Sequence, residues 1–172
     1  GIDVGVLRTY NSLGGVGDNI GSDHWRLGFI SSVAVSGNLN QAGSQLTRTL
    51  ADGGQQVFNY QSPGRYLSTD GQGAHDTITV NGDNSFVYTE GSTLVEHHYQ
   101  TEANGGKLTA IVNKDDKGQH FEYTGAQLTT ITTDTEGGQE TTTFNYDPTH
   151  TDRLASITLD SGDEAQDEAQ TS

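Results

Sequence analysis

An aromatic pair spaced i, i+2 occurs four times in this chain: Phe58-Asn59-Tyr60, Phe86-Val87-Tyr88, Phe121-Glu122-Tyr123 and Phe144-Asn145-Tyr146. Side chains two residues apart share one face of an extended strand, whereas on a helix they diverge. Each pair follows a glycine-bearing turn, at Asp52-Gly53-Gly54, Asn81-Gly82-Asp83, Lys117-Gly118 and Gly137-Gly138. Glycine adopts the positive φ that tight hairpin turns require, so the pattern predicts strands joined by short turns.

The segments after the pairs are also related. Tyr123 is followed by Leu128-Thr129-Thr130-Ile131, and Tyr146 by Arg153-Leu154-Ala155-Ser156-Ile157. Gly64-Arg65-Tyr66-Leu67 and Gly106-Lys107-Leu108-Thr109-Ala110-Ile111 carry parts of the same phrase. Pro63 and Pro148 fall just past Phe-Asn-Tyr strands, where a missing N–H breaks no ladder. The unit therefore reads as aromatic-x-aromatic, a polar connection, then Leu-Thr-x-Ile. Intervals of 28, 35 and 23 residues between successive pairs leave room for further strands at Thr77–Val80 and Leu94–Tyr99. A single hairpin cannot bury its own aromatic face, but stacked hairpins can. Leu128 and Ile131 are three apart and would face opposite sides of a regular strand. Either a bulge separates them or both faces of the sheet are partly covered.

The expected fold class is all-β: antiparallel β-hairpin repeats forming a twisted, spiralling sheet without significant helix. Residues 1–50 read as lead-in strands with a Gly-rich loop, from Val4–Tyr10 through Trp25–Ala34 to Leu46–Leu50. Residues 51–159 read as the hairpin repeats. Residues 160–172 have no apolar anchor and read as a disordered acidic tail or linker. With 30% hydrophobic residues and 23 glycines among 172, the chain supports one domain with a lean core.

Charge and composition narrow the partners. A formal net charge of −15 opposes binding to nucleic acid or to anionic lipid headgroups. Cysteine is absent, so disulfides and thiolate chemistry play no part. No apolar run is long enough to insert into a membrane as a helix, and no signal-peptide pattern opens the chain. Methionine is also absent. That suggests a piece of a longer polypeptide, or a chain whose initiator Met was removed.

Phe144-Asn145-Tyr146-Asp147 followed by Arg153-Leu154-Ala155-Ser156-Ile157-Thr158 resembles the Rhs/YD-repeat family. At the other end, Arg8-Thr9-Tyr10-Asn11-Ser12 and His24-Trp25-Arg26-Leu27-Gly28-Phe29 are similar to the segment that opens many bacterial Rhs repeat regions. The resemblance covers roughly residues 4–159, and its marker residues at the N-terminal end are Arg8, Tyr10, Trp25 and Phe29. It implies hairpins joined into a β sheet that spirals into a shell, enclosing a C-terminal toxin or displaying repeats at a bacterial surface. Four units are too few to close a large shell, and nothing here resembles the family's autoproteolytic core. The resemblance thus implies a wall segment or a short stand-alone repeat module.

Motifs of known chemistry are weakly represented. Gly15-Val16-Gly17-Asp18-Asn19-Ile20-Gly21 lacks the following helix of a dinucleotide loop and places an acid where phosphate would lie. Asn113-Lys114-Asp115-Asp116-Lys117-Gly118 has the wrong spacing for a calcium loop and reads as a hairpin turn. His97 and His98 are adjacent on a strand and point to opposite faces, so they do not share a metal. His24, His75, His120 and His150 are scattered, mostly beside turns, and a packing or solvent-exposed role is expected for each histidine. No Gly-x-Ser-x-Gly elbow is present.

The expectation is therefore a structural element rather than an enzyme: no catalytic residue, no cofactor, no specific metal, with loose surface calcium the one allowance. The residues carrying the repeat are Phe58, Tyr60, Phe86, Tyr88, Phe121, Tyr123, Phe144, Tyr146, Leu128 and Leu154. Expected partners are neighbouring repeats of a longer chain or copies of itself, at a bacterial surface or outside the cell. Buried rings would make a wall. Rings left bare would make an adhesin or glycan-binding face, and unpaired edge strands would favour a self-assembling fibre.

Overall fold

A computed structural model describes residues 8–10, 25–27, 30–69 and 75–161. Two short strands, β1 (Arg8–Tyr10) and β2 (Trp25–Leu27), pair with each other as a separate two-stranded sheet. The remaining strands are β3 (Ser32–Ser36), β4 (Gln45–Thr49), β5 (Gln55–Ser62), β6 (Arg65–Ser68), β7 (Thr77–Val80) and β8 (Phe86–Thr89). They continue as β9 (Glu96–Tyr99), β10 (Leu108–Val112), β11 (Gly118–Thr124), β12 (Gln127–Thr135), β13 (Gly138–Tyr146) and β14 (Leu154–Asp160). Glu102–Asn104 forms a single 3-10 turn, the only helical element among the described residues. The chain is all-β.

Strands β3 to β14 form one 12-stranded antiparallel sheet in which each strand pairs with its neighbours in sequence. Turn chemistry explains this local order. In the β10–β11 turn the Asn113 side-chain oxygen accepts the amides of Asp115 and Lys117, at 2.9 and 3.1 Å. In the β7–β8 turn Asp83 accepts the Ser85 amide and hydroxyl, at 2.9 and 2.6 Å. Such side-chain bonds mimic a backbone turn and hold a hairpin closed. The candidate calcium loop is thus a turn, its first ligand position already used by the chain itself.

The sheet curls back on itself. Ser32 at the start of β3 forms an antiparallel bridge with Lys107, just before β10, and the Val33 amide donates to the Gly106 carbonyl at 3.0 Å. Gly106 has φ +58°, and a Cβ there would drive into the Val33 carbonyl. Only glycine allows this approach. Strands β3 to β10 therefore make a roll closed by a narrow seam, and β11 to β14 continue the sheet beyond it.

The inner face carries one continuous cluster: Leu46, Phe58, Tyr66, Ile78, Phe86, Tyr99, Leu108, Phe121, Leu128, Ile131 and Phe144 are all buried within it. Burial then fades toward the last strand, where Ile157 and Leu159 are 41% and 62% exposed. The hairpin repeats, expected over residues 51–159, begin earlier: β3 and β4, within the expected lead-in, belong to the same sheet. Of residues 160–172, expected as a tail, Asp160 instead ends β14, paired with Thr141. Residues 162–172 lie outside the described residues, as do Phe29 and the loop Gly15–Gly21.

Candidate functional site

The last three hairpins, β9–β10, β11–β12 and β13–β14, share one geometry. Tyr99, Tyr123 and Tyr146 stand opposite Leu108, Leu128 and Leu154, while His97, Phe121 and Phe144 stand opposite Ile111, Ile131 and Ile157. Between the two pairs the register shifts by one residue in every hairpin, leaving Thr109, Thr129 and Ala155 as the extra residue of a β-bulge. The bulge puts Leu and Ile, three apart, on the same inner face. Two of the bulge residues are held in place by their hydroxyls. Thr109 donates to the His98 carbonyl and Thr129 to the Glu122 carbonyl, each at 3.2 Å.

Successive hairpins are tied by their tyrosines. The Tyr123 hydroxyl donates to the Leu108 carbonyl at 2.8 Å, and the Tyr146 hydroxyl to the Leu128 carbonyl at 2.6 Å. Each tyrosine thus grips the leucine of the hairpin before it. Burial pushes the Tyr123 hydroxyl pKa well up and that of Tyr146 up to about 12, so both stay protonated donors.

Tyr99 makes a different contact. Its hydroxyl receives a hydrogen bond from Arg48 Nε at 2.7 Å and lies 2.6 Å from Ser31 Oγ. Arg48 is 6% exposed and is the centre of a polar cluster inside the roll. Its Nη1 donates to Gln56 Oε1 at 2.8 Å and its Nη2 to His97 Nδ1 at 3.1 Å. The guanidinium also lies 4.0 Å from the centre of the Tyr88 ring. Accepting from Arg48 requires His97 Nδ1 to be unprotonated. Burial and then the Arg48 charge push the His97 pKa down to about 3, with a smaller push from His98. Tyr88 donates to Asp76 at 2.9 Å and packs edge-on against Phe58 and His97, with centroids 6.0 and 5.3 Å away. This cluster joins β4 and β5 to β8 and β9 across the roll. Its donors and acceptors are used on one another, which suits holding a shape.

The residues expected to carry the repeat lie as follows. Phe58, Phe86, Tyr88, Phe121, Phe144 and Leu128 are buried, while Tyr60, Tyr123, Tyr146 and Leu154 pack partly buried against the same cluster. One pair differs in role. Phe86-Val87-Tyr88 lies on β8, the return strand of β7–β8, opposite Val80 and Ile78, whereas the other three pairs lie on leading strands. A leading strand hidden from the motif is β9, where His97 takes the phenylalanine position. Arg8 pairs with Leu27 and Tyr10 with Trp25 in β1–β2.

Outside the core, His98 contacts Glu96 at 2.8 Å, His120 contacts Asp134 at 3.4 Å and His150 contacts Asp147 at 3.7 Å. No group of three or more metal-ligating side chains occurs among the described residues. A shallow basin of about 600 Å³ beside Gln100, Asn104 and Tyr123 contains Lys107, whose ammonium donates to the Asn104 carbonyl at 2.7 Å. Among the described residues no helix is long and apolar enough to cross a membrane.

The fold is that of an antiparallel hairpin-repeat protein whose last three hairpins are joined by two tyrosine hydroxyls. Comparison with protein-family models, with curated proteins and with solved structures returned no match to this chain.

Proposed function

We propose that this chain is a structural wall segment of a bacterial secreted or surface protein of the Rhs/YD kind, non-enzymatic, its sheet serving to enclose or display a cargo such as a toxin. The observation that carries the reading is the tyrosine key, made twice in the same way, Tyr123 to Leu108 and Tyr146 to Leu128. A contact repeated between successive hairpins lets a sheet extend unit by unit, each unit burying the face of the one before. The phenylalanine rings of the four sequence pairs are at most 3% exposed, which weighs against a bare aromatic platform for glycans. Asp83, Asp134 and Asp147 have lowered pKa values, chiefly from bonds to Ser85, Gly118 and Thr149. Their charge is spent on turns and strand ends.

The test is the mass of the native polypeptide, read from its own cells with an antibody raised against this chain. A species several times heavier than 18.3 kDa supports a segment of a longer wall. A native species of 18.3 kDa overturns it.

A further inference from the structure

The three equivalent hairpins differ in one respect. Leu108 and Leu128 are fully buried, and Ile111 and Ile131 are 9% and 1% exposed. In the third copy Leu154 is only partly buried and Ile157 is 41% exposed, with Leu159 at 62% beyond it. The first two copies are each followed in the sheet by a leading strand, β11 or β13. The third, β14, lies at the end of the strand order, and no described strand pairs with its outer edge.

We infer that the outer edge of β14 is a docking site for the aromatic-x-Tyr strand of one further hairpin, in a single register. The two existing interfaces specify that register. Opposite Ile111 stands Gln119, with Phe121 two residues on and Tyr123 four residues on. Opposite Ile131 stands Thr142, with Phe144 and Tyr146 at the same offsets. In both, the tyrosine hydroxyl reaches the carbonyl of the leucine three residues before the isoleucine. The incoming strand therefore places a residue opposite Ile157, an aromatic ring two positions later and a tyrosine four positions later. That tyrosine donates to the Leu154 carbonyl. The strand covers Ile157 and Leu159, the apolar side chains that β14 leaves in water. Residues 162–172 contain no aromatic residue, so they do not supply it. A second β14 does not fit either, having neither ring nor tyrosine to offer.

This inference rests on the wall reading only for the origin of the strand, and its test is independent of the native mass. A second copy of residues 135–160 is inserted after Asp160 in the full chain, which reproduces the turn length between β12 and β13. Amide hydrogen exchange in Leu154–Asp160 is expected to slow by at least about tenfold relative to the unextended chain. Ile157→Asp in the extended chain is expected to abolish that protection. Unchanged exchange in the extended chain overturns the inference.

Register is read separately, because the native chain has no cysteine to interfere. Ile157→Cys combined with Thr→Cys at the copied position 142 is expected to oxidise to an intrachain disulfide, since directly opposed residues bring their Cβ atoms within bridging range. Cysteine at the copied position 143 instead points to the other face. Equal bridging by the two, or none by the first, overturns the stated register. Ile157→Cys in the unextended chain is expected to remain monomeric on oxidation. A disulfide dimer would overturn the choice of occupant in favour of a second copy.

Discussion

At position 97 the chain carries histidine where the next two hairpins carry phenylalanine, and the reason lies across the roll. Arg48 needs an acceptor at that point, and a neutral imidazole supplies one while still packing edge-on against Tyr88. The neutral form sets a pH dependence. Between the ordinary value of 6.5 and about 3, the unfolded chain binds a proton at His97 that the folded chain excludes. The His97 contribution is complete above pH 6.5 and is lost as pH falls toward 3, with a slope approaching about 1.4 kcal/mol per pH unit. The neighbouring charges, Arg48 from β4 and His98 on the same strand, act in the same direction. Urea denaturation of His97→Phe across pH 4–7 is expected to show a flatter profile than the native chain. Below pH 4 the turn aspartates add their own loss in both proteins. A slope unchanged by the substitution would place the proton elsewhere. The sequence did not disclose this role, because a histidine beside another histidine looks polar, and an arginine facing inward from β4 leaves no periodic trace.

Among the elements, the bulged hairpin is the unit, and its tyrosine key is what joins one unit to the next. Tyr146→Phe and Tyr123→Phe each remove one hydroxyl and leave a carbonyl partly buried, so each is expected to cost about 0.5–1.5 kcal/mol in urea denaturation. Ile131 and Ile157 hold equivalent positions and make a sharper comparison. Ile131→Ala is expected to cost about 2–5 kcal/mol, as in a packed core. Ile157→Ala is expected to cost well under half as much, because that side chain is already 41% in water. Equal costs would mean that β14 is covered as β12 is. Much of this was legible: the Thr77–Val80 strand coincides with β7, and the Leu-Thr-x-Ile phrase does follow a leading strand. The three-residue spacing of Leu128 and Ile131 posed the choice between a bulge and a two-sided sheet, and the bulge at Thr129 answers it. What stayed hidden was pairing. Phe86-Val87-Tyr88 reads like its counterparts, yet a strand in a meander pairs with both sequence neighbours, and i, i+2 spacing is the same whether it leads or returns.

For the whole molecule, the decisive feature is that one sheet is closed at one place and open at another. Closure depends on a narrow seam, the Ser32–Lys107 bridge and the bond from the Val33 amide to the Gly106 carbonyl. The Arg48 cluster ties the same strands together from inside, so seam and cluster form one mechanical unit. Gly106→Ala separates the seam from the rest of the sheet. Alanine disfavours φ +58°, and its methyl group collides with the Val33 carbonyl. The combined strain is expected to cost about 2–4 kcal/mol, measured by urea denaturation. Where the damage spreads is more informative than its size. Hydrogen exchange in the variant is expected to accelerate first at Val33 and along β3, which loses its outer partner at the seam, and then in β4 beside it. The β11–β12 ladder and the Tyr146–Leu128 contact lie beyond the seam and are expected to keep their protection. If exchange instead rises uniformly from β3 to β14, the sheet opens as one cooperative body and the seam is not a separate closure. If β3 is unaffected, its hydrogen bonds to β4 are enough to hold it, and the Arg48 cluster rather than Gly106 keeps the roll shut.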